Sequence, residues 1–234
     1  MRILGIIPAR GGSKGVPGKN IKLLNGKPLL QYTSEIALES KYLTDVILSS
    51  DDDQIITVAR SLGIQVPFIR PSALAEDQTP TIDVILHALD WYERQAVFFD
   101  AVCLLQVTSP FRTVAFLDKA IVKFIESGCD SLVSVQKVPH EYNPYWTFEV
   151  NPEGNLKIAT GEDQIISRRQ ELPIAYHRDG SIYITKTEVL LEQHSLYGKS
   201  TSFIESSPEF YVNIDTLADW GKAEKISRIL KKII

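Results

Sequence analysis

Short apolar runs alternate with amphipathic segments along the first half of the chain. Runs of about five to seven residues, each bounded by turn residues, predict buried strands. These strands are Ile3–Ile7, Val46–Ser49, Ile64–Ile69, Ala101–Gln106 and Ser131–Val135. Between them apolar residues recur three and four apart, which predicts helices at Leu29–Leu38, Gln54–Leu62, Thr81–Tyr92 and Phe116–Ile125. The alternation predicts an α/β fold, a mainly parallel sheet flanked by helices.

The pattern changes after Gln136, where prolines and aromatic residues appear without a clear helical period. Short strands are predicted in the segment that follows, at Trp146–Val150, Leu156–Ile158 and Ser181–Ile184. We interpret residues 137–180 as an inserted arm whose exposed aromatics suit a partner subunit, with a loop packed on its own domain as the alternative. A strand at Phe210–Ile214 and a helix at Leu217–Leu230 complete the pattern. Residues 1–234 are thus predicted to form a single domain with one arm.

Composition narrows the class of protein. Hydrophobic residues make up 44% of the chain and charged residues 23%, which is typical of a globular domain. The 25 Lys and Arg against 29 Asp and Glu give a net charge of -4, which argues against general affinity for nucleic acid. Apolar runs stay short of the roughly 18 residues that a membrane span needs, and the two cysteines lack CxxC spacing. We therefore predict a cytoplasmic protein.

A glycine-rich, basic loop directly follows the first predicted strand. Residues 8–20 read PARGGSKGVPGKN and contain four glycines and the cations Arg10, Lys14 and Lys19. Glycines allow close approach of the backbone to a ligand, so this loop, with Gly11 and Ser13, predicts a polyphosphate site. It matches neither GxxxxGK[ST] nor GxGxxG, so a P-loop NTPase or a dinucleotide site is not indicated. A solvated basic turn is the alternative.

A second polar group follows the strand that begins at Ala101. Its members are Gln106, Thr108, Ser109 and Arg112. Open parallel sheets bind ligands beyond the carboxyl ends of their strands, so these side chains predict a substrate-binding edge. For Thr108 a simple turn into the next helix is an equal alternative.

Several ordered motifs together identify a family resemblance. They are IPARGGSKG at 7–15, Lys19-Asn20, SSD at 49–51, Arg70-Pro71, LQVTSPFR at 105–112, Arg169-Gln170, Leu172-Pro173 and NID at 213–215. Along nearly its whole length the chain resembles the nucleotide-sugar cytidylyltransferases, in particular the acylneuraminate cytidylyltransferases. The resemblance implies a Rossmann-like nucleotidyltransferase fold and a dimerisation arm at the predicted insertion. It also implies Mg²⁺-dependent transfer of CMP from CTP to an acidic nonulosonic sugar.

The same resemblance implies roles for residues that would bind the nucleotide. Arg10, Lys14 and Lys19 would stabilise charge on the departing pyrophosphate. Asn20, Arg70 and Thr81 would lie near the pyrimidine. A plain loop charge is the alternative for Arg70, and a helix N-terminal position is the alternative for Thr81.

Sugar, metal and arm roles are implied as well. Gln106 would bind a hydroxyl or acyl amide of the sugar, and Arg112 would lie near its anionic end. Asp215 is the best candidate for a Mg²⁺ ligand, with Asn213 beside it. Asp51 is a second carboxylate at a strand end, with capping of the next helix as its alternative. Arg169 matches a family arginine that reaches an active site from the dimer arm.

Departures from the family pattern leave the sugar open. Asn213 stands where relatives commonly carry Asp, and His177, Arg178 and Asp179 replace an Arg-Pro-Asn sequence. The predicted function is transfer of CMP from CTP to an acylneuraminate-like nonulosonic acid by a homodimer, with release of pyrophosphate. One alternative is the same chemistry on legionaminate, pseudaminate or a sugar 1-phosphate, with CTP or another nucleotide. The other is a nucleotide-binding module without catalysis.

Overall fold

The computed structural model describes residues 1–233 and contains, within that range, ten strands and six α-helices. The strands are β1 Ile3–Pro8, β2 Leu23–Leu24, β3 Lys27–Pro28, β4 Asp45–Ser49, β5 Ala101–Leu104, β6 Ser131–Lys137, β7 Phe148–Val150, β8 Leu156–Ile158, β9 Tyr176–Lys186 and β10 Thr201–Glu205. The helices are α1 Leu29–Glu39, α2 Asp53–Ser61, α3 Thr81–Glu93, α4 Val114–Ser127, α5 Thr187–Gln193 and α6 Leu217–Ile233.

Six strands form the central sheet in the order β10-β6-β9-β5-β1-β4. β1 pairs in parallel with β4 and β5, and β10 pairs in parallel with β6. β9 runs antiparallel to both of its neighbours, β5 and β6. The predicted α/β class with a mainly parallel sheet is therefore confirmed.

The sheet is buried on both faces because its strands send alternate residues to opposite sides. From β1, Ile3 and Ile7 join the core shared with α1, α2, α4 and α6, whereas Leu4 and Ile6 join the core shared with α3 and α5. This double burial explains why the strands read as continuous apolar runs in the sequence. Across the described residues, no helix combines the length and apolarity that crossing a membrane requires.

Two predicted strands are wrong. Ile64–Ile69 makes only an isolated parallel bridge, from Gln65 to Ile47, because Pro67 lacks the N–H that a ladder needs. Phe210–Ile214 has no ladder partner, although the Ile214 N–H donates to the Thr108 carbonyl at 2.8 Å. Its buried positions, Val212 and Ile214, alternate as they would in a strand.

The sequence pattern also missed or shortened several elements. β10 and α5 were not predicted, and the predicted strand Ser181–Ile184 is only the apolar half of β9. The end of the segment interpreted as an arm therefore belongs to the central sheet. Trp146 lies in a short helical turn, Pro144–Trp146, before β7 rather than in the strand itself.

The rest of the arm is built around the antiparallel pair β7 and β8. Its loops are tied together by Asn143, whose Nδ2 donates to the Pro173 carbonyl at 2.9 Å, and by Trp146, whose Nε1 donates to the Ile166 carbonyl at 2.6 Å. Several large apolar side chains of the arm are exposed: Tyr142, Phe148, Val150, Leu156, Ile165 and Ile174. Dimerisation through this surface stays a prediction.

Candidate active site

A cleft with two adjoining regions opens at the carboxyl ends of β1 and β5. The loop region, a cavity of about 360 Å³, is lined mainly by residues 8–20, the segment from Arg70 to Val84, and residues 106–108. The β9 region, also about 360 Å³, is lined by residues 178–180 of β9 and by Tyr183, Tyr211 and Asn213. Thr81, Gln106, Thr108 and Asp215 line both regions. The two regions can therefore hold two reactants side by side.

The beginning of the basic loop is anchored by two hydrogen bonds from its backbone. The Ala9 N–H donates to the Ser49 carbonyl at 3.0 Å, and the Gly11 N–H donates to Asp51 Oδ1 at 3.1 Å. At Gly15, an added Cβ would lie only 1.9 Å from the Asp215 backbone oxygen. The loop thus packs directly against the chain that carries Asp215, which only glycine permits.

Two cations of the loop share one acidic partner, Asp77, which the sequence analysis did not single out. Arg10 lies 2.7 Å from Asp77 Oδ1, and Lys14 forms an ion pair with Oδ2. These hydrogen bonds, from Lys14 first and Arg10 second, hold the pKa of Asp77 below its ordinary value. No local sequence pattern indicates this pairing, because 63 positions separate Asp77 from Lys14 in the sequence.

Lys19 points to the opposite wall of the loop region. Its Nζ donates to the Ile214 carbonyl at 2.6 Å and lies 3.4 Å from Asp215 Oδ1. Arg10, Lys14 and Lys19 all line this region, together with Ser13. Gly11 borders the adjoining groove, which shares Arg10, Ser13 and Lys14. The predicted cationic group is thus assembled in one place.

Asn20, Arg70 and Thr81 lie at the inner end of the loop region. Asn20 Nδ2 donates to the Arg10 carbonyl at 2.9 Å, and the Arg70 guanidinium donates to both the carbonyl and the hydroxyl of Ser49. Burial lowers the pKa of Arg70 to about 10, which leaves it charged at neutral pH. Arg70 is therefore a fixed, buried cation rather than a mobile loop charge.

Asp51 does not cap the following helix. The N-cap of α2 is Asp52, whose side chain accepts from the N–H groups of Gln54 and Ile55. Asp51 instead accepts from Gly11 and so positions the basic loop. The proposed alternative for Asp51, helix capping, is wrong by one residue.

Arg112 lies elsewhere than expected, because it lines neither region of the described cleft. Its guanidinium is buried and donates to the Ser181 carbonyl, to Thr33 Oγ1 at 2.7 Å and to the Gln106 carbonyl at 2.8 Å. Burial lowers the pKa of Arg112 to about 10, opposed by the nearby anion Asp179. A cation so deeply buried needs fixed partners, and these three acceptors hold Arg112 between α1, β9 and the segment that follows β5.

Gln106, Thr108 and Ser109 are brought close to β9. Gln106 and Thr108 line both regions of the cleft, whereas Ser109 is buried behind the β9 region. A Cβ built on Gly180 would lie 3.4 Å from Gln106 Oε1 and 3.6 Å from Ser109 Oγ. Gln106 and Ser109 therefore lie beside Gly180.

Asp215 and Asn213 fit a hard divalent cation by the chemistry of their donors. Asn213 Nδ2 donates to Asp215 Oδ2 at 2.6 Å, and the Asn213 Oδ1 is buried and, among the described residues, has no hydrogen-bond donor. Residues 1–233 contain no group of three His, Cys, Asp or Glu side chains that could hold a metal alone. One carboxylate with an amide oxygen is a donor set that Mg²⁺ accepts when substrate phosphates supply further oxygens.

Arg169 begins a short helical turn, Arg169–Glu171, on the arm and is exposed. It lines neither region of the cleft described for its own chain. Its predicted action at an active site stays a prediction that requires a second copy.

The cleft geometry agrees with comparisons to known proteins. Residues 4–230 match the family described as Cytidylyltransferase, to which the chain belongs. The chain is 37% identical over 230 residues to the CMP-N,N'-diacetyllegionaminic acid synthase of Legionella pneumophila, covering 98% of this chain and 97% of that protein. It is 35% identical over 233 residues to the pseudaminic acid cytidylyltransferase of Campylobacter jejuni, covering 100% and 97%.

A solved structure supports the fold. The structure of a CMP:2-keto-3-deoxy-manno-octonic acid synthetase complexed with CTP superposes with a TM-score of 0.72 at 18% identity, covering 97% of this chain and 99% of that chain. The predicted Rossmann-like nucleotidyltransferase fold is therefore confirmed.

Proposed function

We propose that this cytidylyltransferase transfers CMP from CTP to a nonulosonic acid, with CTP in the loop region and the sugar in the β9 region. The observation that carries the proposal is the position of Asp215, which lines both regions and lies 3.4 Å from Lys19. A sugar hydroxyl attacks the α-phosphorus, the new P–O bond forms, the bond to pyrophosphate breaks, and the hydroxyl proton is released to solvent. The reacting atoms would meet at this junction.

The loop cations supply the main electrostatic contribution. Charge grows on the pyrophosphate as it leaves, and donors fixed in advance near that charge stabilise the transition state. Arg10 and Lys14 would bind the outer phosphates, with Gly11 and Ser13 at the loop backbone, and Lys19 would hold the phosphate chain near Asp215. Mg²⁺, when bound, neutralises charge on the phosphate oxygens. Asp215 and the Asn213 oxygen would hold it.

Recognition of the base follows from Asn20 and Arg70. Because Asn20 uses its amide nitrogen on the Arg10 carbonyl, its oxygen is left to accept from the exocyclic amino group of cytosine. Uracil carries a carbonyl there and would oppose that oxygen. Arg70, held by Ser49, offers a donor for the acceptor edge of the pyrimidine, and Thr81 lies across the same region.

For the sugar, we favour N,N'-diacetyllegionaminic or pseudaminic acid over N-acylneuraminate. The support is the naming of the relatives that match nearly end to end, together with the replacement of the family Arg-Pro-Asn sequence by His177, Arg178 and Asp179. Gln106 and Thr108, which are among the residues that line both regions, would contact the sugar beside the nucleotide.

A pyrophosphate-release assay tests the function. Purified protein with Mg²⁺ is given each of four nucleoside triphosphates with N-acetylneuraminate, N,N'-diacetyllegionaminate, pseudaminate or glucosamine 1-phosphate. Release with CTP and a nonulosonic acid alone is expected. Release only with the sugar phosphate would overturn the substrate class, and CTP binding without any release would favour the non-catalytic alternative.

We further propose that the arm joins two copies and that Arg169 acts in the partner's cleft. Exposed apolar side chains on β7 and β8 support a surface that another subunit covers. Mixing Arg169→Ala with Lys14→Ala protein tests this. If Arg169 acts across the interface, each mixed dimer regains one intact site, and the randomly assorted mixture regains about a quarter of wild-type activity. Monomeric protein, or no recovery after verified subunit exchange, would contradict it.

A further inference from the structure

Three side-chain oxygens converge on Gly180. Gln106 Oε1, Asn213 Oδ1 and Ser109 Oγ lie 3.4, 3.6 and 3.6 Å from the position of a Cβ on that glycine. The oxygens of Asn213 and Ser109 are buried without a hydrogen-bond partner among residues 1–233. A Cβ at Gly180 would be in ordinary van der Waals contact with these oxygens, and the φ of +78° is what favours glycine there.

Asp179 adds a buried carboxylate beside the same glycine. Its Oδ1 accepts from Ser134 Oγ at 2.5 Å and from the Ser181 N–H at 2.8 Å. Its Oδ2 is buried and, in the part of the chain that the structure describes, accepts no hydrogen bond. A buried carboxylate oxygen without a hydrogen bond raises the free energy of the folded protein, so a hydrogen-bond donor from a bound molecule would be stabilising.

The chemistry of these atoms restricts what can pair with them. The Asp179 carboxylate accepts hydrogen bonds and does not donate them. A partner must therefore donate an N–H or O–H. Arg112 lies near enough to interact electrostatically with Asp179 and so offsets its negative charge toward an acidic sugar, and Arg178 adds a cation to the lining of the β9 region.

We propose that Asp179 is a specificity-determining residue, whose Oδ2 accepts a hydrogen bond from an acylamido N–H of the nonulosonic acid, with Ser109 beside it at Gly180. This inference rests on the proposed function and adds a residue that discriminates between acidic sugars. A substituent without a hydrogen to donate, such as an azide or an O-acyl ester, leaves these oxygens unpaired and is rejected.

A coupling experiment tests the proposal. Pyrophosphate release is measured with CTP and N,N'-diacetyllegionaminate, and with analogues whose 5- or 7-acetamido group is replaced by azide. For wild-type protein we expect kcat/KM to fall roughly tenfold or more for one of the two azides. In Asp179→Leu, which has no acceptor atom, the diacetyl sugar itself becomes a poor substrate and the ratio of kcat/KM for the amide to that for the azide falls to within about twofold.

Controls separate this role from folding. CTP affinity and the melting temperature of Asp179→Leu are compared with those of Asp90→Leu, an exposed surface change far along α3. If Asp179→Leu does not fold, Ser109→Ala is used, and the ratio must again shrink. If a folded variant keeps the wild-type ratio of kcat/KM for the amide to that for the azide, this inference is overturned but the proposed function is not. Absence of release by wild-type protein with every acid overturns the proposed function, and this inference with it.

Discussion

Gly15 packs against the Asp215 backbone so closely that a Cβ on the glycine would lie 1.9 Å from the Asp215 oxygen. This contact joins the loop that carries the cations to the segment that carries the candidate metal ligand. Because the neighbour is backbone, no side-chain rotation can relieve the overlap. The relative position of the two groups therefore depends on a hydrogen atom at position 15.

We expect Gly15→Ala to lower kcat by roughly 100-fold, since a displacement of about 1 Å in a positioned group can cost that much. Gly12→Ala is the matched control, because a Cβ there meets nothing within 4 Å. Steady-state release of pyrophosphate and thermal melting are measured on both variants. Equal activity of the two would show that the Gly15 contact does not position the site.

Asp77 forms ion pairs with Arg10 and Lys14, the two cations that would bind the phosphates of CTP. Replacing it by Asn removes the ion pairs with Arg10 and Lys14, so we expect CTP to bind roughly two- to tenfold tighter at low salt and less so at high salt. Calorimetric titration at two salt concentrations measures this. Glu76→Gln, next to Asp77 in the same region, controls for the general loss of negative charge. Weaker binding by Asp77→Asn would contradict the expectation.

The same ion pairs predict a pH dependence of stability. The pKa of Asp77 is lowered by its hydrogen bonds from Lys14 and Arg10. Because the folded state favours the carboxylate, the contribution is present above the ordinary pKa of an aspartate and is lost as pH falls through the lowered value. Wild type should thus be more stable than Asp77→Asn at pH 7, and the difference should vanish in acid. Urea unfolding across that range checks the sign.

The sequence predicted those parts of the fold and site whose residues are close together in the chain. The loop of Arg10, Lys14 and Lys19 was found because its glycines and cations are contiguous and follow an apolar strand. The first half of β9 was missed because Tyr176 to Asp179 are polar, and their strand pairing depends on partners tens of residues away. Asp77 was missed for the same reason.

Arg112 illustrates a different limit. Its position after a strand predicted a place at the cleft, but the sequence does not tell which side of the Thr108–Pro110 turn a guanidinium occupies. In the structure Arg112 lies outside both regions of the cleft, with Thr33 and the Ser181 carbonyl as partners. The direction of a side chain at a strand end depends on packing between segments that are distant in the sequence. A local sequence pattern does not predict that packing.

Because Arg112 is a buried support, we expect Arg112→Ala to lower the free energy of unfolding by on the order of 3 kcal/mol, since it leaves buried acceptors and Asp179 without their cation. Arg168→Ala, at an exposed arm residue paired only with Glu171 among the described ion pairs, should change stability by less than about 0.5 kcal/mol. Urea unfolding measures both. If Arg112→Ala kept its stability and lost only sugar affinity, the supporting role would be wrong.

Asn213 and Asp215 yield the last prediction. In Asn213→Asp the 2.6 Å hydrogen bond to Asp215 is replaced by two facing carboxylates, which repel each other unless a cation lies between them. We therefore expect a lower melting temperature than wild type without Mg²⁺, recovery when Mg²⁺ is added, and half-maximal activity at a lower Mg²⁺ concentration. Asn213→Ser, which removes the amide without adding charge, is the comparison. Melting curves and Mg²⁺ titrations that match wild type would show that these two side chains do not hold the metal.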